Sequence, residues 1–182
     1  MSRSTATDPA FTGERPLLPV LAEYLEQGES VRWAARPSAL SLLRSKSALW
    51  RVGVPWLAFW FGVYLAGWLS WNWFAPFGLV GFALIAAPFI MLFESDRTIY
   101  AITSRRALIV HNGKRHEVVS VPFRDMDAKL EVLETGGAAG HVYFASGRST
   151  KMRDTDYTGK LAFRDVADAQ RVAKILDAAR ER

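Results

Sequence analysis

The chain of 182 residues contains no cysteine and three histidines, and from Val52 to Phe93 it runs for 42 residues without one Asp, Glu, Lys or Arg. The absence of cysteine excludes disulfides, thiolate metal ligands and thiol nucleophiles, and accords with a chain facing a reducing compartment. Met1 to Glu14 is polar, with Asp8, Pro9 and Gly13, and lacks the charged start and short apolar stretch of a cleavable signal, so none is expected. Gly136-Gly137-Ala138-Ala139-Gly140 lacks the Lys-Ser/Thr ending of a phosphate loop, no helical pattern follows it, and it reads as a strand connection. No serine stands in a nucleophile elbow. His111 and His116 flank Asn112-Gly113 with Lys114 and Arg115 between them, a setting that repels a cation, and His141 has no carboxylate motif beside it. No metal site, cofactor or catalytic residue is therefore expected.

The long uncharged run sets the fold class. A bilayer core of about 30 Å takes roughly 20 helical residues to cross, so 42 residues allow two crossings and a turn. A domain this small has no ordinary way to bury such a length. The turn is predicted at Trp71-Asn72-Trp73-Phe74-Ala75-Pro76, with Pro76 opening the second helix and Trp68, Trp71, Trp73 and Phe74 near the headgroups. Arg36, Arg44, Lys46 and Arg51 precede the run and Arg97, Arg105 and Arg106 follow it, so the positive-inside rule puts both termini in the cytoplasm. The formal charge of +5 comes from 23 basic and 18 acidic residues. These cluster only beside the run, which points to anionic lipid rather than nucleic acid. Arg44, Lys46 and Arg51 are candidate lipid contacts. No ionisable group inside either span argues for an ion path, so the hairpin reads as an anchor or docking element.

Small residues recur at Ala58, Gly62, Ala66 and Ser70, and rings at Trp56, Trp60, Tyr64 and Trp68. A two-residue offset separates the stripes by roughly 200° around a helix. The second span offers Ala75, Leu79, Ala83 and Ala87 on one line. One reading packs the small stripe on the Ala83 and Ala87 line and turns the rings to lipid. The other uses the rings, whose N–H and O–H groups at Trp60 and Tyr64 want partners, to meet a neighbouring membrane protein or a bound aromatic molecule.

Beyond Phe93 the text alternates as strands do: Thr98 to Thr103, Arg106 to His111 and Glu117 to Val121, then Ala128 to Leu133, His141 to Ala145 and Leu161 to Phe163. Asn112-Gly113 predicts a two-residue hairpin turn that pairs His111 with Lys114. Asp165 is the expected N-cap of a closing helix to about Arg180, with Val166, Ala169, Val172, Ala173, Leu176 and Ala179 as its apolar stripe. Pro16 to Gln27 predicts a short amphipathic helix, packed on the domain or the membrane or docking a partner. Gly147 to Lys160 reads as a polar loop, solvated or touching headgroups through Arg148, Lys151 and Arg153, with Asp154 and Asp156 diluting that field.

Gly28-Glu29-Ser30-Val31-Arg32-Trp33-Ala34-Ala35-Arg36-Pro37 before the run and Thr98-Ile99-Tyr100-Ala101-Ile102-Thr103-Ser104-Arg105-Arg106 after it resemble the bacterial membrane proteins with pleckstrin-homology (PH)-like domains. Relatives include photosynthetic complex assembly proteins. The likeness runs from about Gly28 to Ala179. It implies an α+β membrane protein, a two-helix transmembrane hairpin plus a small PH-like β-barrel capped by a C-terminal helix, to which Gly28–Pro37 contributes a strand. It carries no catalytic residues. The expected division is 1–15, a disordered N-terminus; 16–47, a short helix and strand-like segment flanking the membrane; 48–94, the hairpin; and 95–182, the cytoplasmic domain. The expected role is that of a non-catalytic scaffold, accessory subunit or assembly factor at the bacterial inner membrane, with lipid and other membrane subunits as partners. A lipid-binding regulatory module is the alternative, and an unrecognised membrane enzyme a more distant one.

Overall fold

A computed structural model describes residues 7–45, 47–113, 116–136, 139–152 and 154–181. The chain divides into two compact units, Met1–Ser41 with Ser95–Arg182 and Leu42–Glu94. The first holds, in chain order, β1 (Thr7–Gly13), a 3-10 turn at Arg15–Leu17, α1 (Leu18–Leu21) and β2 (Val31–Ala35), followed after the second unit by β3 (Thr98–Thr103), β4 (Arg106–Asn112) and β5 (His116–Pro122). It closes with β6 (Glu131–Gly136), β7 (Ala139–Ala145), β8 (Leu161–Val166) and α5 (Ala169–Arg180). Between the two units runs α2 (Ala39–Ser45), and the second is built on α3 (Ser47–Leu65) and α4 (Trp71–Ser95). The first unit thus joins segments from both sides of the uncharged run, with β2 lying in the Gly28–Pro37 segment that the resemblance implied would contribute a strand.

Strand alternation explains why β3 and β4, central in the first sheet ordered β1-β2-β3-β4-β5, are buried on both faces. Tyr100 and Ile102 of β3 and Ile109 of β4 enter one apolar cluster with Phe144, Phe163 and Leu176. Their neighbours Ile99, Ala101, Leu108 and Val110 enter a second cluster, roofed by Leu17 and Leu21. The N-terminal segment therefore packs on the sheet. Its α-helical part is the single turn of α1, shorter than the helix predicted over Pro16 to Gln27, with Pro16 and Pro19 in the first-turn positions of the 3-10 start and of α1.

Residues 7–13, expected to be disordered, form a strand parallel to β2. Gly13 makes this possible: at φ +128° its position lies so near β2 that a Cβ would stand 2.1 Å from the Ala34 carbonyl oxygen. The expected barrel is also corrected. Among the described residues the strands form two open sheets, the second ordered β6-β7-β8, with no ladder joining β5 to β6. Closure is by packing rather than by hydrogen bonds, since α5 lays Ala169, Val172, Leu176 and Ala179 against the core the sheets share. The N-cap of α5 is Asp168, whose carboxylate accepts from the Arg171 N–H at 3.0 Å. Asp165 instead lies inside β8 at φ +52°, its carboxylate accepting from the Ser41 hydroxyl at 3.1 Å. The β4–β5 register pairs His111 with Glu117 and Asn112 with His116, so the turn is one residue longer than predicted and shifts the expected pairing.

In the helical unit, α3 ends in a Schellman motif: the Gly67 N–H donates to the Tyr64 carbonyl at 3.0 Å and the Trp68 N–H to the Val63 carbonyl at 3.2 Å, with Gly67 at φ +74°. The Ser70 carbonyl then accepts from the Trp73 and Phe74 N–H groups and starts α4. The turn is therefore at Ala66 to Ser70. Trp71 to Pro76, predicted as the turn, already belong to α4, because the chain reverses earlier, where Gly67 takes the left-handed conformation at φ +74°.

Candidate functional site

The stripes of α3 face opposite to the simpler expectation. Trp60 stacks on Phe77 at a centroid distance of 4.2 Å and 12°, and Tyr64 on Phe74 at 5.0 Å. The Trp56 indole N–H donates to the Phe77 carbonyl at 3.0 Å, and that of Trp50 to the Ile85 carbonyl at 3.0 Å. Glycines admit these rings and the α3 backbone. A Cβ at Gly81 would meet Leu57 at 3.0 Å and Trp56 at 3.1 Å, and one at Gly53 would meet Leu84 at 2.9 Å. Ala58, Gly62, Ala66 and Ser70 are exposed, and a Cβ at Gly62 would touch nothing within 4 Å. On α4, Ala83 is exposed and Ala87 half-buried. The helix contact is thus rings against glycine gaps, which fills more volume than Ala against Ala. Trp68, in the turn, is 83 % exposed.

In the sheet unit the Gly147–Lys160 loop is fastened rather than loose. Asp154, at φ +63°, lies with its Oδ2 2.8 Å from His111 Nε2 and accepts from the Tyr100 hydroxyl at 3.1 Å. His111 Nδ1 shares a hydrogen bond with Thr98 Oγ1 at 3.0 Å. Burial, with the Asp154 charge beside it, holds the Tyr100 phenol well above its usual range, so it stays a neutral donor. These groups, a hydroxyl, an imidazole and a carboxylate, are those of a nucleophilic triad. Yet the Thr98 hydroxyl and His111 are buried, the latter 3 % exposed, and their arrangement ties the loop to β3 and β4. Further ties are the Arg148 N–H to the Gly159 carbonyl at 2.9 Å, and the Asp156 carboxylate, which accepts from the Thr158 hydroxyl at 2.6 Å and the Lys160 N–H at 2.9 Å. Asp154 is consequently an anchor and not a surface charge that dilutes the field. Thr155 Oγ1 closes the inner turn on the Met152 carbonyl.

The fastened loop and the second sheet bound a groove of about 850 Å³. Residues 129–133 line it consecutively, with Tyr143, Tyr157, Lys160 and Arg164. Lys160 is bound to Glu131 at 2.6 Å, which raises the ammonium pKa. Of the expected lipid contacts, Arg51 and Lys151 are exposed and Arg148 half-buried. Lys46, Arg153 and the Arg44 side chain lie outside the described residues.

A second buried charge cluster lies at the motif segments. Glu29, 2 % exposed, receives two bonds from Arg106, Nε at 2.9 Å and Nη2 at 2.8 Å, and one from the Thr103 hydroxyl at 2.6 Å. Burial alone would raise the Glu29 pKa; the Arg106 and Thr103 hydrogen bonds outweigh it and the carboxyl sits below its usual value. This pair joins the segment before β2 to β4 and has the fork-on-fork geometry of a structural clamp. Sequence reading saw Glu29 and Arg106 in the motif segments without pairing them. The signal available was one acid and one base beside strands that pair.

The fold that holds these sites is mixed α+β, two sheets and a packed helix with two long apolar helices inserted between β2 and β3. No family model and no curated protein matches the chain. Among solved structures the chain is similar to a DUF1696 family protein with a pleckstrin-homology domain from Shewanella loihica PV-4, at 17% identity and a TM-score of 0.33, over 46% of this chain and 72% of that one.

Proposed function

We propose that the protein is a multi-pass protein of the bacterial inner membrane, whose PH-like domain of β2–β8 and α5 lies in the cytoplasm and which acts without chemistry of its own as scaffold, accessory subunit or assembly factor for a membrane complex. The observation that carries the membrane reading is the hairpin's exposed apolar surface. Ser47–Leu65 and Trp71–Phe93 have the length and composition to cross a bilayer, yet only 6% and 17% of their most apolar windows are buried. Core helices of a water-soluble domain are mostly buried, whereas lipid-facing ones present Phe59, Leu65, Phe82, Ile90 and Phe93 outward. Connectivity supports the topology. Because β2 and β3 pair, with Ala35 opposite Tyr100, both ends of the hairpin return to one folded unit and so to one side of a membrane. The flanking Arg51 and Arg97 support the reading that this side is cytoplasmic. The PH-like reading is supported by four antiparallel strands, then three, then a helix on the shared core.

The scaffold reading is tested by pull-down of the tagged chain in gentle detergent from its native membrane, after alkaline carbonate washing, with protein and pigment read together. A stoichiometric set of complex subunits is the expected result. Release by carbonate overturns the membrane reading. Recovery of the chain with lipid alone overturns the scaffold reading in favour of a lipid-binding regulatory module.

A further inference from the structure

The groove between the fastened loop and the second sheet has three properties that together define a ligand. It runs beside a strand edge: among the described residues β6 pairs only with β7, and residues 129–133, the last three of them in β6, line the groove without a gap although strand side chains alternate between faces. Its acids are already engaged, Glu131 by Lys160 at 2.6 Å and Asp156 by the Thr158 hydroxyl and the Lys160 N–H of its own loop. Its remaining cations make no hydrogen bond or close ion pair with those acids, although the Asp156 pKa, lowered first by the Thr158 hydrogen bond, is lowered further by the nearby Arg164 charge. Lys129 is exposed, and the Arg164 Nε is buried without an acceptor among the described residues. Tyr157, 93 % exposed at the loop tip, and Leu133, also exposed, add apolar surface at the rim.

We propose that this groove docks an acidic, extended peptide segment of a partner protein, its backbone laid along β6 and its carboxylates on Lys129 and Arg164. An unpaired strand edge offers N–H and C=O groups that a peptide backbone matches and a lipid headgroup does not. The cations on the groove select acidic over basic sequences, and the loop is held in place for this by Asp154, His111 and Tyr100. The proposal rests on the scaffold reading, of which it names the contact. The two fail separately, because the pull-down reads partners from the membrane and the following test uses the purified chain alone.

The probe is a random peptide library displayed on phage and selected on the full-length chain in neutral phosphatidylcholine nanodiscs, with empty discs subtracted. Wild type is expected to enrich acidic sequences about tenfold over basic ones, the ratio that ~1.4 kcal/mol of charge pairing supplies. Lys129→Glu with Arg164→Glu is expected to abolish or invert that preference. Lys129→Glu alone, at an exposed side chain, is expected to lower it severalfold and keeps the test readable if the double variant unfolds. No enrichment, or equal enrichment on wild type and Lys129→Glu, overturns the proposal. Complete displacement of selected peptides by short-chain phosphatidylglycerol, but not by phosphatidylcholine, overturns it in favour of a headgroup.

Discussion

Aromatic residues live in opposite settings in the two units. In the sheet unit Phe144 and Phe163 are fully buried, packed ring to ring at 4.7 Å, with Tyr100 at 5.1 Å from Phe163. In the hairpin Trp68, Trp71, Trp73 and Phe59 are exposed, and even the stacked Trp60 is only half-buried. The sheet unit hides its core rings with its own chain, Tyr157 at the loop tip excepted; the hairpin leaves most of its rings for whatever solvent surrounds it. The same contrast holds for charge. The sheet unit buries an ion pair, Glu29 with Arg106, and a close contact of His111 with the Asp154 carboxylate, while the hairpin between Val52 and Phe93 has no charge to pair. Stability in the first unit should therefore depend on single buried groups, and in the second on helix spacing.

That contrast can be broken most directly at the rings. Phe163→Ala should destabilise the sheet unit by about 3–5 kcal/mol, whereas Phe59→Ala should cost under ~1 kcal/mol, both read by denaturant unfolding in mild detergent. Equal costs would erase the distinction. Next in size, Arg106→Ala leaves the Glu29 carboxylate buried without its partner and should cost about 3 kcal/mol by the same assay. In the hairpin, Gly81→Leu should force α3 from α4 and cost about 1–3 kcal/mol, while Gly62→Leu, with open space at its Cβ, should be nearly neutral. The reverse order would restore the small-stripe packing. The smallest effect is set by pH. The Glu29 carboxyl is lowered in the folded state, so its contribution is complete above its ordinary value of 4.5 and is lost as pH falls through the folded value beneath it. Thermal unfolding should show an acid limb that starts just below pH 4.5 and runs down to the folded value, flattened in Glu29→Gln.

Much of the fold was legible because it is written in local patterns. The bounds of β3, Thr98–Thr103, follow from alternation, and the extent of α3 and α4 from the uncharged run. The hairpin turn was misplaced by a few residues because Asn72 and Pro76 outweighed Gly67 and Ser70, though a glycine followed by a serine is the pattern of one helix ending and another starting. Asp165 was taken for a cap because it precedes an apolar stripe, but the strand continues through it and Asp168 holds the position.

The sequence by itself determined the two long apolar helices, the succession of strands and the closing amphipathic helix, because each rests on interactions between residues a few positions apart. The tertiary structure alone decided that the sheets stay open, in which register β2 pairs with β3 across the inserted helices, and that the rings of α3 rather than its small residues meet α4. It also decided which charges are buried together. Glu29 and Arg106 are 77 positions apart and Tyr100 and Asp154 are 54. Such partners are chosen by proximity in space and by the cost of burying either group alone, and neither quantity has a counterpart in the local order of residues.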